Sequence, residues 1–239
     1  NYGYRNLRSC PLMPNLLGLP YIDVRLSFNS FIPASLNDKL AGKLVDFYIK
    51  KLSEEPKLHD KIEFEIVHSC YALDLPEKLE ILKKDGFTEN EIINLKDSLK
   101  DLTNKIISSK KSLWKIDKNK LDILENKREL MLSMDYDIVE KIYWLIEDTK
   151  RYGTLPFAGL ARAGFIAIQM LKSLKSVGIF SDKDYDDFLS NLTTISGQLS
   201  RDRASLDKNT FLSIYGHLRP GTYDILSKRY DEGADLYFD

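Results

Sequence analysis

Cysteine is almost missing from this chain of 239 residues: only Cys10 and Cys70 occur, too few for a disulfide framework. Reduced thiols, and with them a cytoplasmic setting, are the expectation. No Cys/His group has zinc-ligand spacing, so these residues are not expected to hold a metal. An excess of either charge is missing as well. Lys and Arg number 35 against 36 Asp and Glu, a formal net charge of −1. A general grip on nucleic acid needs a concentrated basic face, and this balance argues against one. There is no glycine-rich phosphate cradle, no Walker lysine context and no dinucleotide fingerprint. Uninterrupted apolar runs are absent too. The longest stretch, Leu155 to Leu171, is broken by Pro156, Gly159, Arg162, Gly164 and Gln169. It reads as a buried helix, and no membrane is expected as a partner. No secretory signal opens the chain. Residue 1 is Asn and the last residues carry no helix stop, so the sequence reads as a piece of a longer protein.

What is present suffices for one large domain or two small ones, with a sizeable core. Two segments alternate with period two and predict half-buried strands. In the first, Ile22, Val24, Leu26 and Phe28 share a face, with Asp23 and Arg25 on the other. In the second, Ile62, Phe64 and Ile66 oppose Lys61, Glu63 and Glu65. Paired, the strands would set Arg25 across from Glu63 or Glu65. Between them, apolar residues at helical spacing predict a helix from about Ser35 to Leu52, capped by Ser35 and Asp38. From residue 76 the pattern is helical. Thr88 with Glu91 forms a capping box for a helix to about Ser109. Further helices are expected over 118–133, 135–151 and 156–177, the last stopped by Gly178. A fifth starts near Asp182 and carries apolar residues to Leu199, and a short sixth spans 207–215. The expected class is α+β, predominantly α: a helical bundle with a small antiparallel sheet from the N-terminal third.

Several residues carry candidate chemistry. Arg162 is the lone charge between Thr154 and Leu171. A buried guanidinium keeps its proton, so it needs an acid, an anionic ligand, or a route to water. His59, Asp60, Lys61, Glu63 and Glu65 crowd the start of the second segment. A carboxylate near an imidazole can act as a base or hold an ammonium group; a solvated strand entry is the plain alternative. Asp23 and Arg25, about 7 Å apart along a strand, could span a zwitterion or form a sheet-face ion pair. Near the end, Gly216, His217, Leu218, Arg219, Pro220, Gly221, Thr222, Tyr223 and Asp224 combine ligand-type residues with two glycines that allow close backbone approach. Arg219 offers a donor fork matched to carboxylate or phosphate. A structured turn with Arg219 pairing locally to Asp224 is the alternative.

The run Tyr215 to Ile225, with Arg229-Tyr230-Asp231-Glu232 after it, resembles the end of the substrate domain in phosphoenolpyruvate-synthase-like kinases. Tyr21-Ile22-Asp23-Val24-Arg25 and His59 to Glu65 resemble the same group. Within it the similarity is to glutamine kinases of capsular phosphoramidate biosynthesis, and extends over most of the chain; the Gly-His-x-Arg turn is distantly similar to one in rifampin phosphotransferase. The resemblance implies a three-part enzyme. An ATP-grasp domain binds ATP and Mg2+, a swivelling domain carries a phosphohistidine, and a central domain binds the acceptor, L-glutamine. The products would be AMP, phosphate and glutamine phosphorylated on its side-chain amide. Residues 1–239 would be the central domain alone, with a strand-containing part (1–75), a helical part (76–215) and a linker (216–239). It lacks the sequence context of a phosphocarrier histidine, so His217 is not that carrier and the chain alone is expected to be inactive. The implied roles are α-carboxylate binding by Arg25 or Arg162, amine or amide binding by Asp23, Asp60 or Glu65, and phosphoryl stabilisation by His217 and Arg219. Tyr223 and Asp224 would orient the turn, and Glu65 would take the amide proton. His59 and Glu63 complete the candidate substrate site. Another acceptor, pyruvate or an antibiotic, and a non-catalytic helical interaction domain are the alternatives.

Overall fold

The computed structural model describes residues 2–7, 9–108, 112–220, 224 and 226–238. Helix accounts for 68% of the chain, in 11 α-helices among the described residues, with one two-stranded antiparallel sheet near the N-terminus. The class is therefore as expected, but the strands are elsewhere. They are β1 (Asn15–Leu16) and β2 (Leu19–Pro20), paired Leu16 to Leu19 across a tight turn. Leu17 and Gly18 sit at φ +53° and +86°, and the Asn15 side chain accepts from the Gly18 N–H at 2.9 Å. These are the features of a short hairpin.

The first segment expected as a strand is α1 (Val24–Asn29). Asp23 caps it, its carboxylate accepting from the Leu26 N–H at 2.9 Å. Phe28, Phe31 and Ile32 are all buried, and their spacing of three and four residues outweighs the alternation upstream. The second segment is helical too. A 3₁₀ turn over Pro56–Asp60 leads into one π-helical turn over Ile62–Ile66, closed by Val67 N–H donating to the Ile62 carbonyl at 3.1 Å. Ile66 and Val67 enter the core, while Phe64 meets Phe165 edge-on at 5.5 Å.

Helix α2 (Asp38–Glu54) is capped by Asn37, not Ser35. The main core gathers α1, α2, the π-turn, α3 (Leu75–Leu79) and α4 (Glu89–Ile107) around Phe28, Leu44, Tyr48, Ile66, Leu79, Leu82 and Leu99. Both halves of the predicted capping box at Thr88 and Glu91 are present. Next come α5 (Leu113–Ser133) and α6 (Ile138–Asp148). A π-helical turn, Thr149–Thr154, joins α6 to α7 (Leu155–Ser176) without a break. The resulting run, Ile138–Ser176, is long and apolar enough to cross a membrane by length and composition. The expected burial of α7 is one-sided: Ile166, Gln169, Leu171 and Ser173 are buried, but Leu155 and Phe157 are exposed. Gly178 ends the helix in the left-handed region at φ +75°, as read from the sequence.

The chain divides into two compact units, Asn1–Asp182 and Lys183–Asp239. The second begins within α8 (Asp182–Ser190). The helix expected to continue to Leu199 breaks at 191–194, where Thr194 caps α9 (Ile195–Ser205). Then come α10 (Lys208–Tyr215), capped by Asp207, and α11 (Ala234–Tyr237). Phe211, Tyr215 and Tyr230 form the small aromatic core of this unit.

Candidate functional site

Within the first unit, a cleft of about 570 Å³ opens beside the π-turn. Phe64, Glu65, Val67 and His68 form one wall, α3 contributes Leu75, Glu77 and Lys78, α7 contributes Gln169 and Lys172, and Lys51 enters from the end of α2. Single π-turns inside α-helices are frequent at functional sites; this one follows a 3₁₀ turn. Here it is anchored from α7, whose Gln169 amide donates to the Glu63 carbonyl at 3.0 Å.

The polar groups of the cleft differ in how they are held. Asp74 is buried; one oxygen pairs with Lys78 at 2.9 Å and the other, Oδ1, has no hydrogen-bond partner among the described residues. Lys51 Nζ donates to the Glu65 carbonyl. Burial, reinforced by the Lys78 charge, lowers the Lys51 pKa, although Glu65 and Glu55 act in the other direction. Lys172 Nζ stands 4.6 Å from the centroid of the Phe64 ring. The His68 N–H donates to the Tyr48 hydroxyl at 3.1 Å. Burial, then the charges of Lys51 and Lys78, push the His68 imidazole down to about 4, so it is neutral near pH 7.

A second cavity of about 300 Å³ lies between the N-terminal segment, α5 and α7, lined by Tyr2, Tyr4, Asp117, Lys120, Gly159 and Arg162 among others. The Arg162 guanidinium is stacked between the rings of Tyr4 and Phe31, at 4.5 and 4.2 Å. Its Nη1 is buried with no hydrogen-bond partner among the described residues. Burial lowers its pKa, and the charges of Tyr4 and Glu63 raise it.

The expected site residues therefore separate. Glu65 lines the larger cleft and Arg162 the smaller cavity, while Glu63 acts on Arg162 by its charge. Asp23 is occupied as the cap of α1, and Arg25 pairs with Asp46 of α2 at 2.7 Å in an exposed position. With no strands there, Arg25 has no cross-strand partner in Glu63 or Glu65. His59 is exposed and its Nδ1 lies 3.1 Å from the Pro56 carbonyl oxygen; Asp60 is exposed beside it. Asp23, Arg25, His59 and Asp60 line neither cavity.

In the second unit, Gly216 closes α10, and its missing Cβ is explained by internal packing: a methyl there would collide with the Leu212 carbonyl and Asp231 Cβ. His217 and Arg219 are exposed on the turn that follows. Leu218 is stitched to Tyr230 by a 2.9 Å backbone bond, and Arg229 grips Asp231 with two nitrogens at 3.0 and 2.9 Å. Asp224 accepts from the Leu226 N–H at 2.9 Å. Tyr223 and Gly221 lie outside the described residues.

Sequence reasoning missed Lys51, Asp74, Lys78, Gln169 and Lys172, and read His68 as structural. One signal was available. Arg162, Gln169 and Lys172 recur at helical spacing on a largely apolar helix, marking a polar stripe that faces something other than core. Among the described residues no group of His, Cys, Asp and Glu is placed to hold a metal ion. No family model, no curated protein and no solved structure matches the chain.

Proposed function

We propose that this chain is the acceptor domain of a phosphoenolpyruvate-synthase-like kinase that phosphorylates the side-chain amide of L-glutamine. An ATP-grasp domain holding ATP and Mg2+ and a phosphohistidine domain would act with it in the cytoplasm. The observation that supports this reading is the place of Glu65: the segment carrying the family-like run from His59 to Glu65 forms a wall of the cleft beside the π-turn. That cleft offers ammonium groups and carboxylates together, a set that complements a zwitterion.

An amide nitrogen is a poor nucleophile because its lone pair is delocalised into the carbonyl. Glu65 is exposed to the cleft and can accept the amide proton as the nitrogen attacks phosphorus. The new P–N bond forms as the bond to the carrier imidazole breaks, and the proton passes from Glu65 to that imidazole. In the complete enzyme, Glu65→Gln should abolish glutamine-dependent AMP release while carrier phosphorylation by ATP persists. Equal loss of both half-reactions would remove the role assigned to Glu65.

A second reading, a helical protein-interaction domain, is favoured by the outer face of α6. Ile138, Val139, Ile142, Tyr143 and Ile146 are all exposed there, Val139 by 72%. Failure of the chain to bind L-glutamine, pyruvate or any tested antibiotic in calorimetry, with a soluble partner lost on Val139→Asp, would replace the kinase reading with this one.

A further inference from the structure

The α-carboxylate of an amino-acid acceptor needs a cation, and neither arginine expected to supply it is in the cleft. Arg25 is committed to Asp46, and Arg162 is stacked between two rings beside the other cavity. Two lysines converge instead on adjacent residues of the π-turn: Lys51 on the Glu65 carbonyl, and Lys172 on the Phe64 ring. They come from different helices, α2 and α7, and both line the cleft. Asp74, Glu65 and Glu77 line it as well, but Asp74 is taken by Lys78, and neither Lys51 nor Lys172 has a carboxylate within ion-pair distance among the described residues. An ammonium has three donors. A carbonyl uses one on Lys51, and a ring face uses none on Lys172, so both keep donors, and the Glu65 and Glu55 charges help to keep Lys51 protonated. Tethering also lowers the entropy lost when the long side chains grip a ligand.

We propose that Lys51 and Lys172 form an oxyanion subsite that takes the carboxylate or phosphate group of the small molecule bound in this cleft. With L-glutamine as acceptor, an assignment that rests on the reading above, the group is the α-carboxylate, and the side-chain amide is left to Glu65.

The test is calorimetry on the 239-residue chain with L-glutamine, L-glutaminamide and inorganic phosphate, using wild type, Lys172→Gln, Lys172→Arg and the Lys51→Gln/Lys172→Gln double variant, each checked for helix content by circular dichroism. The double variant should bind L-glutamine about tenfold or more weakly than wild type, and no better than L-glutaminamide. Lys172→Arg should retain most of the affinity, because Arg keeps both charge and ring stacking. If wild type binds phosphate but not L-glutamine, and the double variant loses phosphate, the subsite stands and the acceptor assignment falls. If L-glutamine binds wild type and double variant equally, the subsite is overturned and the acceptor assignment stands. Binding of neither anion by wild type overturns the subsite. Should the double variant fail to fold, Lys172→Gln decides alone, since Lys172 is exposed and its loss leaves the core intact.

Discussion

Residues 22–28 and 61–66 present the same alternating pattern, and both fold as helical turns, yet they end in different roles. In the first, both charged side chains are committed within the fold: Asp23 caps α1 and Arg25 pairs with Asp46. In the second, the polar side chains stay available, because the π-turn is held by backbone contacts from Lys51 and Gln169 and by the burial of Ile66 and Val67. The difference lies in what satisfies the turn. A segment fixed by its own side chains has none to offer a ligand, whereas one fixed through its carbonyls and apolar residues does.

This contrast can be broken from its largest effect downward. Phe28 is fully buried and anchors α1. Phe28→Ala should cost about 3–5 kcal/mol in urea unfolding, and loss of under 1 kcal/mol would show that α1 is not secured by its apolar face. Next comes acid sensitivity on the cleft side. His68 stays neutral when folded, with its pKa near 4 against an ordinary 6.5, so only the unfolded chain takes up this proton between those values. Its contribution to stability is complete above pH 6.5 and is lost as pH falls towards 4. Stability of wild type minus that of His68→Gln should shrink over that window; a pH-independent difference would show that the imidazole is solvated. Third, Asp23→Ala should cost about 1 kcal/mol through the lost cap without changing ligand affinity, whereas Glu65→Gln should leave the melting temperature unchanged. Weakest is Arg25→Ala. An exposed pair of this kind contributes under about 1 kcal/mol, and the effect should fade in high salt.

The helices were legible where local chemistry settles them. Thr88 with Glu91, Asp207 and Gly178 each act within one turn, so sequence shows their effect directly. The alternation at 22–28 misled because Phe28, Phe31 and Ile32 carry more buried area than the upstream positions, and that balance is set by α2 packing over them. The second segment misled because a π-turn has no compositional mark; Gln169, more than a hundred positions away, holds it. Glu65 was found at the cleft because a motif pointed there. Lys51, Lys78 and Lys172 were not, since a lysine on a helix looks like a solvated charge until the opposite wall is known.

Tyr4 does two jobs with one side chain: its hydroxyl donates to the Ser69 carbonyl at 2.6 Å while its ring covers one face of Arg162. Fragments of this protein begun at residue 6 or later would strip the guanidinium of that cover and admit water beside Ile106 and Ile166. Anyone trimming the polypeptide for crystallisation or labelling should therefore keep Tyr4 and its neighbours.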